Sequence, residues 1–262
     1  MKNNLISILI TNYNKSKFLK RSLKSLSNQK YKNFEIILFD DCSDDNSIKI
    51  IEKFHRVKLI KNKKRIYKSS PLNQINGIIE AFKRSKGKII CLMDSDDFFT
   101  KNKLSIINDY FQNNQNHKIV FNFPSTSKKI KFSTKTDKNY IIWPTIFPTS
   151  CISVRRNFFE FFVKKIKKKN YENLEIDARM TIFFKFYYNE YNLINKKITI
   201  YNYDHLGITS KINKYSKIWW YRRLEAFDYL KYVFFIKGKK FKINLDYLLT
   251  NLMVSFFKVI KL

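Results

Sequence analysis

Short apolar runs alternate with amphipathic stretches along the first half of the chain. The runs "LISILIT", "FEIILF", "VKLI" and "KIICLM" are predicted strands, and the last of them has the continuous apolar centre of a strand buried on both faces. The stretches between them, such as "KSKFLKRSLKSLSNQ", repeat apolar residues at helical spacing. This alternation is typical of βαβ units, so we expect an α/β fold with a mostly parallel sheet flanked by helices.

The second half of the chain has a looser pattern. Two aromatic-rich amphipathic stretches, "NFFEFFVKKIKKK" and "DARMTIFFKFYY", are predicted helices, and "SCISV" is a candidate strand. The polar stretch "STSKKIKFSTKTDK" is predicted to form a loop or hairpin. The final segment, "LDYLLTNLMVSFFKVIKL", is apolar with interspersed lysines. Like "NFFEFFVKKIKKK", it fits either a core helix or a helix lying at a membrane surface.

Composition narrows the class of protein. A chain of 262 residues with 44% hydrophobic and 17% aromatic residues has enough apolar surface to fold, which excludes a disordered chain. The net charge of +31 favours anionic partners such as phosphates, acidic lipids or nucleic acid. No apolar stretch reaches the roughly 20 residues needed to span a bilayer, and no signal peptide is expected. The three scattered cysteines indicate a reducing cytoplasm.

Carboxylates are crowded at the end of the fourth predicted strand. Asp94, Asp96 and Asp97 lie within four positions, and Asp94 and Asp96 project to the same side of the strand. Such carboxylates repel one another unless a cation or strong hydrogen-bond donors compensate them. The group therefore predicts either a site for Mg²⁺ or Mn²⁺ or an acidic capping turn.

Two more polar sites follow the first and second strands. The first is "TNYN", in which Tyr13 is placed to stack on a flat ring or simply to pack. The second is "DDCSDDNS", in which Asp44 and Asp45 are best explained as helix caps. The carboxyl ends of the strands are the edge of an open α/β sheet where ligands bind.

Together these three sites resemble the nucleotide-sugar-binding half of glycosyltransferase family 2, whose members have the GT-A fold. The resemblance extends from about Leu5 to Phe99 and includes the order of strands, helices and polar motifs. It implies that the stretch from Thr11 to Tyr13 lines the base pocket, that Tyr13 stacks on uracil, and that Asp41 hydrogen-bonds the base. Arg65 is a candidate contact on the pyrophosphate side.

The resemblance also assigns roles to the crowded carboxylates. It implies that Asp94 lies near the ribose, that Asp96 is the ligand of a divalent ion bridging the diphosphate, and that Asp97 lies close to the sugar. The implied cofactor is Mn²⁺ or Mg²⁺, and the implied donor substrate is a UDP-sugar.

A further carboxylate is needed to activate the acceptor hydroxyl. The segment "ENLEIDARMTIFF" resembles the segment where family members carry their catalytic aspartate, which makes Asp177 the predicted base. Glu172 and Glu175 are alternatives, and Asp177 is also placed to favour the first turn of a helix. The resemblance implies single displacement with inversion.

Two later features are weaker candidates. His205 lies beside a glycine in "YDHLGITS", where it fits a loop over the site or an exposed surface equally well. The segment "IWWYRRLEAF" has Trp219, Trp220, Arg222 and Arg223, which fit core packing and surface charge better than phosphate or acceptor contacts.

The predicted protein is a glycosyltransferase that adds a sugar to a surface-glycan acceptor, such as lipopolysaccharide, capsule or a lipid-linked oligosaccharide. Residues 1–124 are predicted to be the donor half, residues 125–210 the acceptor half and residues 211–262 a helical C-terminal segment. The expected location is cytoplasmic, with possible attachment to the inner face of the membrane. The alternative functions are a basic nucleic-acid-binding protein and an inactive binding module.

Overall fold

The computed structural model of the protein describes residues 3–126, 146–166, 170–202 and 212–260. Its strands are β1 (Ile6–Asn12), β2 (Phe34–Asp40), β3 (Val57–Lys61), β4 (Ile89–Asp94), β5 (Phe98–Phe99), β6 (Ile119–Ser125), β7 (Ile152–Arg155) and β8 (Leu193–Ile200). Its helices are α1 (Ser16–Ser27), α2 (Ser47–Ile51), α3 (Ser70–Lys83), α4 (Lys103–Asn113), α5 (Arg156–Lys165), α6 (Ile176–Tyr187), α7 (Lys217–Ile236) and α8 (Leu245–Val259), with a 3-10 turn at Thr149–Cys151.

The described strands form a single sheet in the order β3-β2-β1-β4-β7-β6-β8-β5. The first four strands are parallel to one another, and a helix connects each of these strands to the next. β7 is antiparallel to both β4 and β6, and β5 is antiparallel to β8, so the sheet is mixed. The expected α/β fold is confirmed.

The parallel register brings the three polar motifs to one edge. Asn12 at the end of β1 pairs with Asp40 at the end of β2, and Thr11 pairs with Asp94 at the end of β4. Chain segments that leave these strands therefore start from adjacent positions, as the carboxyl-edge rule requires.

Apolar side chains on both faces of the sheet explain why β1 and β4 are central. Ile6, Ile8 and Ile10 of β1 belong to one buried cluster, while Leu9 points into the other. The first cluster is closed by α1 and α4, and the second by α3, α5, α6 and α7. Helices on both faces are what the alternating pattern predicts.

α3 packs closely against the carboxyl ends of β1 and β2 because it carries a glycine, Gly77. The hydroxyl of Ser69 caps this helix by accepting from the backbone N–H of Leu72, and the helix ends at Lys83, four residues before Gly87. A Cβ atom at Gly77 would lie 2.7 Å from Phe39 and 2.9 Å from the methyl group of Thr11. A larger residue would push α3 away from the ends of β1 and β2.

The two basic amphipathic segments have different environments. α5 is a core helix, since Phe159 and Phe162 are fully buried in the second cluster. α8 lies at the surface, with only Thr250 and Val254 buried. Among the described residues, no helix is both long and apolar enough to cross a bilayer.

Two predicted segments lie largely or wholly outside the described residues. They are the polar stretch 125–138, of which only the first two residues are described, and the loop containing His205. The division into donor and acceptor halves stays a prediction, because strands from both sides of residue 124 share one sheet.

Candidate active site

Tyr13, Arg65 and Asp41 form a small cluster beyond β1 and β2. The guanidinium carbon of Arg65 lies 3.8 Å from the centre of the Tyr13 ring, and the Arg65 Nε atom is 3.0 Å from Asp41 Oδ2. The Asn62 side chain donates to the other Asp41 oxygen at 2.8 Å. Burial raises the pKa of Asp41, although Asn62 and Arg65 counteract the rise. The cluster offers an exposed ring face beside a buried carboxylate.

The turns that carry this cluster are fixed by Asp40, which the sequence did not single out. Asp40 Oδ1 accepts from the Asn12 amide at 2.7 Å and from the Ser43 hydroxyl at 2.6 Å. Asp45 accepts from the backbone N–H groups of Ser16 and Ser47, so it caps the starts of α1 and α2 as expected. These bonds join the turn after β1 to the turn after β2.

The acidic group after β4 is held by three different elements. Asp94 accepts from the Gln74 amide of α3 at 2.8 Å, and its backbone N–H donates to the Ser150 hydroxyl at 2.9 Å. Burial raises the pKa of Asp94 to about 7, and the neighbouring Asp96 carboxylate adds to the rise. Asp96 itself forms an ion pair of 2.8 Å with Lys15, which precedes α1.

Asp97 is the most deeply buried of the three acids. Its Oδ1 atom accepts from the backbone N–H of Asn202 at 2.8 Å, whereas Oδ2 has no hydrogen-bond partner among the described residues. Burial, Asp96 and Asp94 together raise the pKa of Asp97 well above its ordinary value. A buried carboxylate oxygen without a partner is costly, so this group is suited to a ligand that brings a cation or a donor.

The described residues contain no group of three or more His, Cys, Asp and Glu placed to hold a metal ion. A divalent ion that bridges to phosphates needs only one or two protein carboxylates, because phosphate and water oxygens complete its coordination. Asp96 is a hard ligand of that kind, and Asp97 Oδ2, which has no hydrogen-bond partner within the described ranges, is a second. The residues present therefore fit such an ion.

Asp177 lies in the first turn of α6, where it is partly buried. Burial raises the pKa of its carboxyl to about 7, with Glu175 as the largest charge acting in the same direction and Arg222 opposing it. Glu175 is buried and forms an ion pair of 2.7 Å with Arg222. Glu172 is exposed, so of the two alternatives only Glu175 shares this environment.

Residues 7–197 match the family model described as Glycosyl transferase family 2. The chain belongs to glycosyltransferase family 2. The prediction of this family is confirmed, and the match favours it over the nucleic-acid-binding alternative.

Relatives that are described as glycosyltransferases support the assignment. An uncharacterized glycosyltransferase of Haemophilus influenzae is 32% identical over an alignment of 155 positions, which covers 52% of this chain and 58% of that protein. The Escherichia coli protein WfgD, a UDP-Glc:alpha-D-GlcNAc-diphosphoundecaprenol beta-1,3-glucosyltransferase, is 34% identical over 104 residues, which are 39% of each chain. The alignments thus span less than two thirds of these relatives.

Solved structures share the fold. Staphylococcus aureus TarS 1–349 in complex with UDP superposes with a TM-score of 0.67 at 15% identity, over 97% of this chain and 70% of that fragment. The mannosyltransferase PcManGT of Pyrobaculum calidifontis, in complex with GDP-Man and Mn²⁺, superposes with a TM-score of 0.58 at 12% identity, over 99% of this chain and 74% of that one. The expected GT-A fold with a helical C-terminal part is confirmed.

Tyr201 lies near both acidic groups of this family-2 site, and sequence analysis missed it. It follows β8, and its backbone N–H donates to the Ser125 carbonyl at 2.8 Å. Burial raises the pKa of its phenol, and four carboxylates add to the rise: Asp97, Asp94, Asp177 and Asp96. All four acids therefore lie within electrostatic reach of one side chain. Only a tyrosine at the end of a strand marked this position in the sequence.

A buried lysine, Lys103, holds the 3-10 turn that contacts the acidic group after β4. Lys103 donates to the Ser150 carbonyl at 2.5 Å and to the Thr199 hydroxyl at 2.6 Å. Its burial lowers its pKa to about 8. Since the Ser150 hydroxyl accepts from the Asp94 backbone, Lys103 helps to fix the acidic turn.

The remaining candidates have structural partners. Arg223 pairs with Asp246 of α8, and the Trp219 and Trp220 rings pack edge-to-face at 4.6 Å. This supports the packing interpretation of the "IWWYRRLEAF" segment, except that Arg222 contacts the acidic pair at the start of α6.

Proposed function

We propose that this chain transfers a sugar from a UDP-sugar to a hydroxyl group of a surface-glycan acceptor, with inversion and with the help of a divalent metal ion. The observation that carries the proposal is that one helix contacts both acidic segments. From α3, Gln74 donates to Asp94 at the end of β4 at 2.8 Å, and the neighbouring Ser69 hydroxyl donates to the Glu172 carbonyl just before α6. A sugar transferase needs one group for the leaving diphosphate and another for the incoming hydroxyl.

The donor base is proposed to bind at the Tyr13 cluster. Arg65 packs on the Tyr13 ring and pairs with Asp41, so both side chains are held in place before a ligand arrives. A uracil ring would stack on Tyr13, and Asp41 would accept a hydrogen bond from the base. The fold shared with the UDP complex of TarS supports this position for the nucleotide.

Asp96 is proposed to hold the metal ion, with Asp97 turned toward the sugar and Asp94 toward the ribose. A bound divalent ion would neutralise the charge that develops on the leaving diphosphate. Lys15 already places a positive charge 2.8 Å from Asp96, and Gln74 orients Asp94. These two residues keep the carboxylates in position for the donor.

Asp177 is proposed to accept the proton of the attacking hydroxyl. A base with a pKa near the working pH combines a useful ionised fraction with enough basicity, and burial beside Glu175 gives Asp177 such a pKa, at about 7. The proposed inversion requires the base to lie opposite the leaving group, and Asp177 and the β4 acids come from different elements.

The acceptor is proposed to be a surface glycan, free or lipid-linked. The names of two relatives mention such acceptors: poly(ribitol-phosphate) for TarS of Staphylococcus aureus and a diphosphoundecaprenol-linked sugar for WfgD. In this chain an open cavity of about 480 Å³ lies between the segment before α6 and the start of α7. Its lining residues are Asn173, Ser216, Lys217, Ile218 and Tyr221.

The proposed function is tested by incubating the protein with a panel of UDP-sugars and Mn²⁺ and measuring the release of UDP with and without glycan acceptors. We expect slow hydrolysis of one donor and faster release when a suitable acceptor is present. A second panel of GDP- and dTDP-sugars, assayed for release of GDP or dTDP, is the comparison. Release from this second panel without UDP release from any UDP-sugar would contradict the proposed donor class.

Replacing Tyr13 by alanine is expected to weaken UDP binding by about 1–3 kcal/mol, the usual contribution of an aromatic side chain stacked on a base. The matched control is Tyr13→Phe, which keeps the ring and should bind UDP almost as well as the wild type. Both affinities are measured by calorimetry. Equal weakening in the two variants would show that the hydroxyl group, and not stacking, contributes to binding.

The rate of transfer is expected to rise with pH through about 7, because a base acts only in its ionised form and the pKa of Asp177 is raised to about 7. Glu175→Gln removes the neighbouring negative charge, so it should move this midpoint to lower pH. Glu172→Gln is the matched control and should leave the midpoint unchanged, since that residue is exposed. If Glu175→Gln has the same pH–rate profile as the wild type, the Glu175 charge does not raise the pKa of Asp177, which would contradict this prediction.

A further inference from the structure

One side of α8 carries large apolar residues that face solvent. The exposed fractions of Leu245, Leu252 and Val259 are 85%, 66% and 82%. Residues three or four apart lie on the same side of a helix, and the exposed apolar side chains follow this spacing. They are Leu245, Leu248, Leu249, Leu252, Phe256 and Val259, which we call the α8 stripe.

The opposite side of α8 holds the helix against the protein. Asp246 pairs with Arg223 of α7, and the Tyr247 ring packs at 5.5 Å against Phe227 and at 5.5 Å against Phe241. Thr250 and Val254 are buried. The α8 stripe is therefore a second apolar side, in addition to the side that the fold uses.

The surroundings of the α8 stripe are basic. The loop between α7 and α8 has three exposed lysines, Lys239, Lys240 and Lys242, and Lys258 is exposed at the other end of the helix. Asp246 is the one acidic residue in the sequence from position 237 to position 262, and Arg223 neutralises it. Exposed Phe235 and Ile243 extend the apolar surface next to the lysines.

We propose that the α8 stripe binds the surface of a membrane rich in anionic lipids, with α8 lying parallel to the bilayer. An amphipathic helix of this kind buries its apolar side among the acyl chains, and lysines at its edges contact lipid phosphates. A second copy of the chain fits less well, because pairing two α8 stripes would bring two lysine-rich edges together. This surface is separate from the proposed donor site, so its test needs no nucleotide.

Sedimentation of the full chain with vesicles tests the proposal. We expect binding to vesicles that contain phosphatidylglycerol, with at least tenfold weaker binding to vesicles of phosphatidylcholine alone, and a loss of binding as salt is raised. The variant Leu248→Gln/Leu252→Gln/Phe256→Gln should bind at least tenfold less than the wild type. Ile66→Gln is the matched control, since Ile66 is 61% exposed outside the α8 stripe and should leave vesicle binding unchanged.

Substitution is preferable to truncation, because removing α8 would expose Phe227 and leave Arg223 without Asp246. Circular dichroism should show that the triple variant is folded. Light scattering of the wild type should show a monomer at the concentrations used. No binding to phosphatidylglycerol vesicles at low salt, equal binding by the triple variant, or a dimer that the triple variant abolishes would each overturn the proposal.

Discussion

Replacing Asp177 by asparagine is expected to reduce sugar transfer by about 10²–10⁴-fold, the usual contribution of a general base. Asparagine has nearly the same shape, and its side-chain oxygen can still accept from the Ala178 backbone N–H as Asp177 does at 2.7 Å. The start of α6 should therefore keep its structure. The donor is proposed to bind at the ends of β1, β2 and β4, away from Asp177. UDP affinity should therefore stay within about twofold of the wild type, a free-energy change of less than about 0.5 kcal/mol.

The matched control for this variant is Asp228→Asn on α7. Asp228 forms a partly exposed ion pair with Lys231 on α7, so its loss should affect neither transfer nor UDP binding. Transfer is measured with the donor found in the UDP-sugar panel, and UDP affinity by calorimetry. A loss of UDP affinity in Asp177→Asn would move this residue to the donor side.

Replacing Asp96 by alanine is expected to abolish transfer and to remove the gain in UDP affinity that Mn²⁺ provides. The substitution deletes the proposed metal ligand, and a metal ion is worth several kcal/mol in stabilising a leaving phosphate. The fold should be retained, because the change relieves the repulsion between Asp96 and Asp94, which offsets the lost ion pair with Lys15.

Asp44→Ala is the matched control for Asp96→Ala. It removes an exposed acid from the turn after β2, without a role in the proposed site. Its UDP affinity with Mn²⁺ and its turnover should equal those of the wild type. Normal turnover by Asp96→Ala would contradict the assignment of this residue to the metal.

Periodicity predicted the elements that position the site. The apolar runs gave β1, β2, β3 and β4, and parallel pairing of these strands explains why Thr11 is next to Asp94 and Asn12 next to Asp40. The three polar motifs could therefore be assigned to one edge of the sheet before any contact was known. The acidic residues of this edge were found because their types and spacing are local features.

The partners of these acids were not predictable, because they come from distant parts of the sequence. Lys15 reaches Asp96 from the start of α1, and Asn202 contacts Asp97 across 105 positions. Ser150 and Lys103 hold the Asp94 backbone through a 3-10 turn that no periodicity marks. Such contacts depend on how the elements pack.

The environments of the two lysine-rich amphipathic helices, α5 and α8, could not be predicted from the sequence either. The sequence allowed α5 and α8 to be either core or surface helices, because both combine apolar bulk with basic residues. Packing distinguishes them: Phe159 and Phe162 of α5 enter the core, whereas Leu248 and Leu252 of α8 face solvent. Only the position of each helix in the fold decides which apolar side is covered.

Titration of UDP into the wild-type protein, followed by calorimetry, tests the central claim that the ends of β1, β2 and β4 bind a nucleoside diphosphate with a metal ion. The titration is done once with Mn²⁺ and once with a chelator. The account predicts binding in the presence of Mn²⁺ that is clearly tighter than binding with the chelator. Absence of UDP binding in both conditions would contradict it.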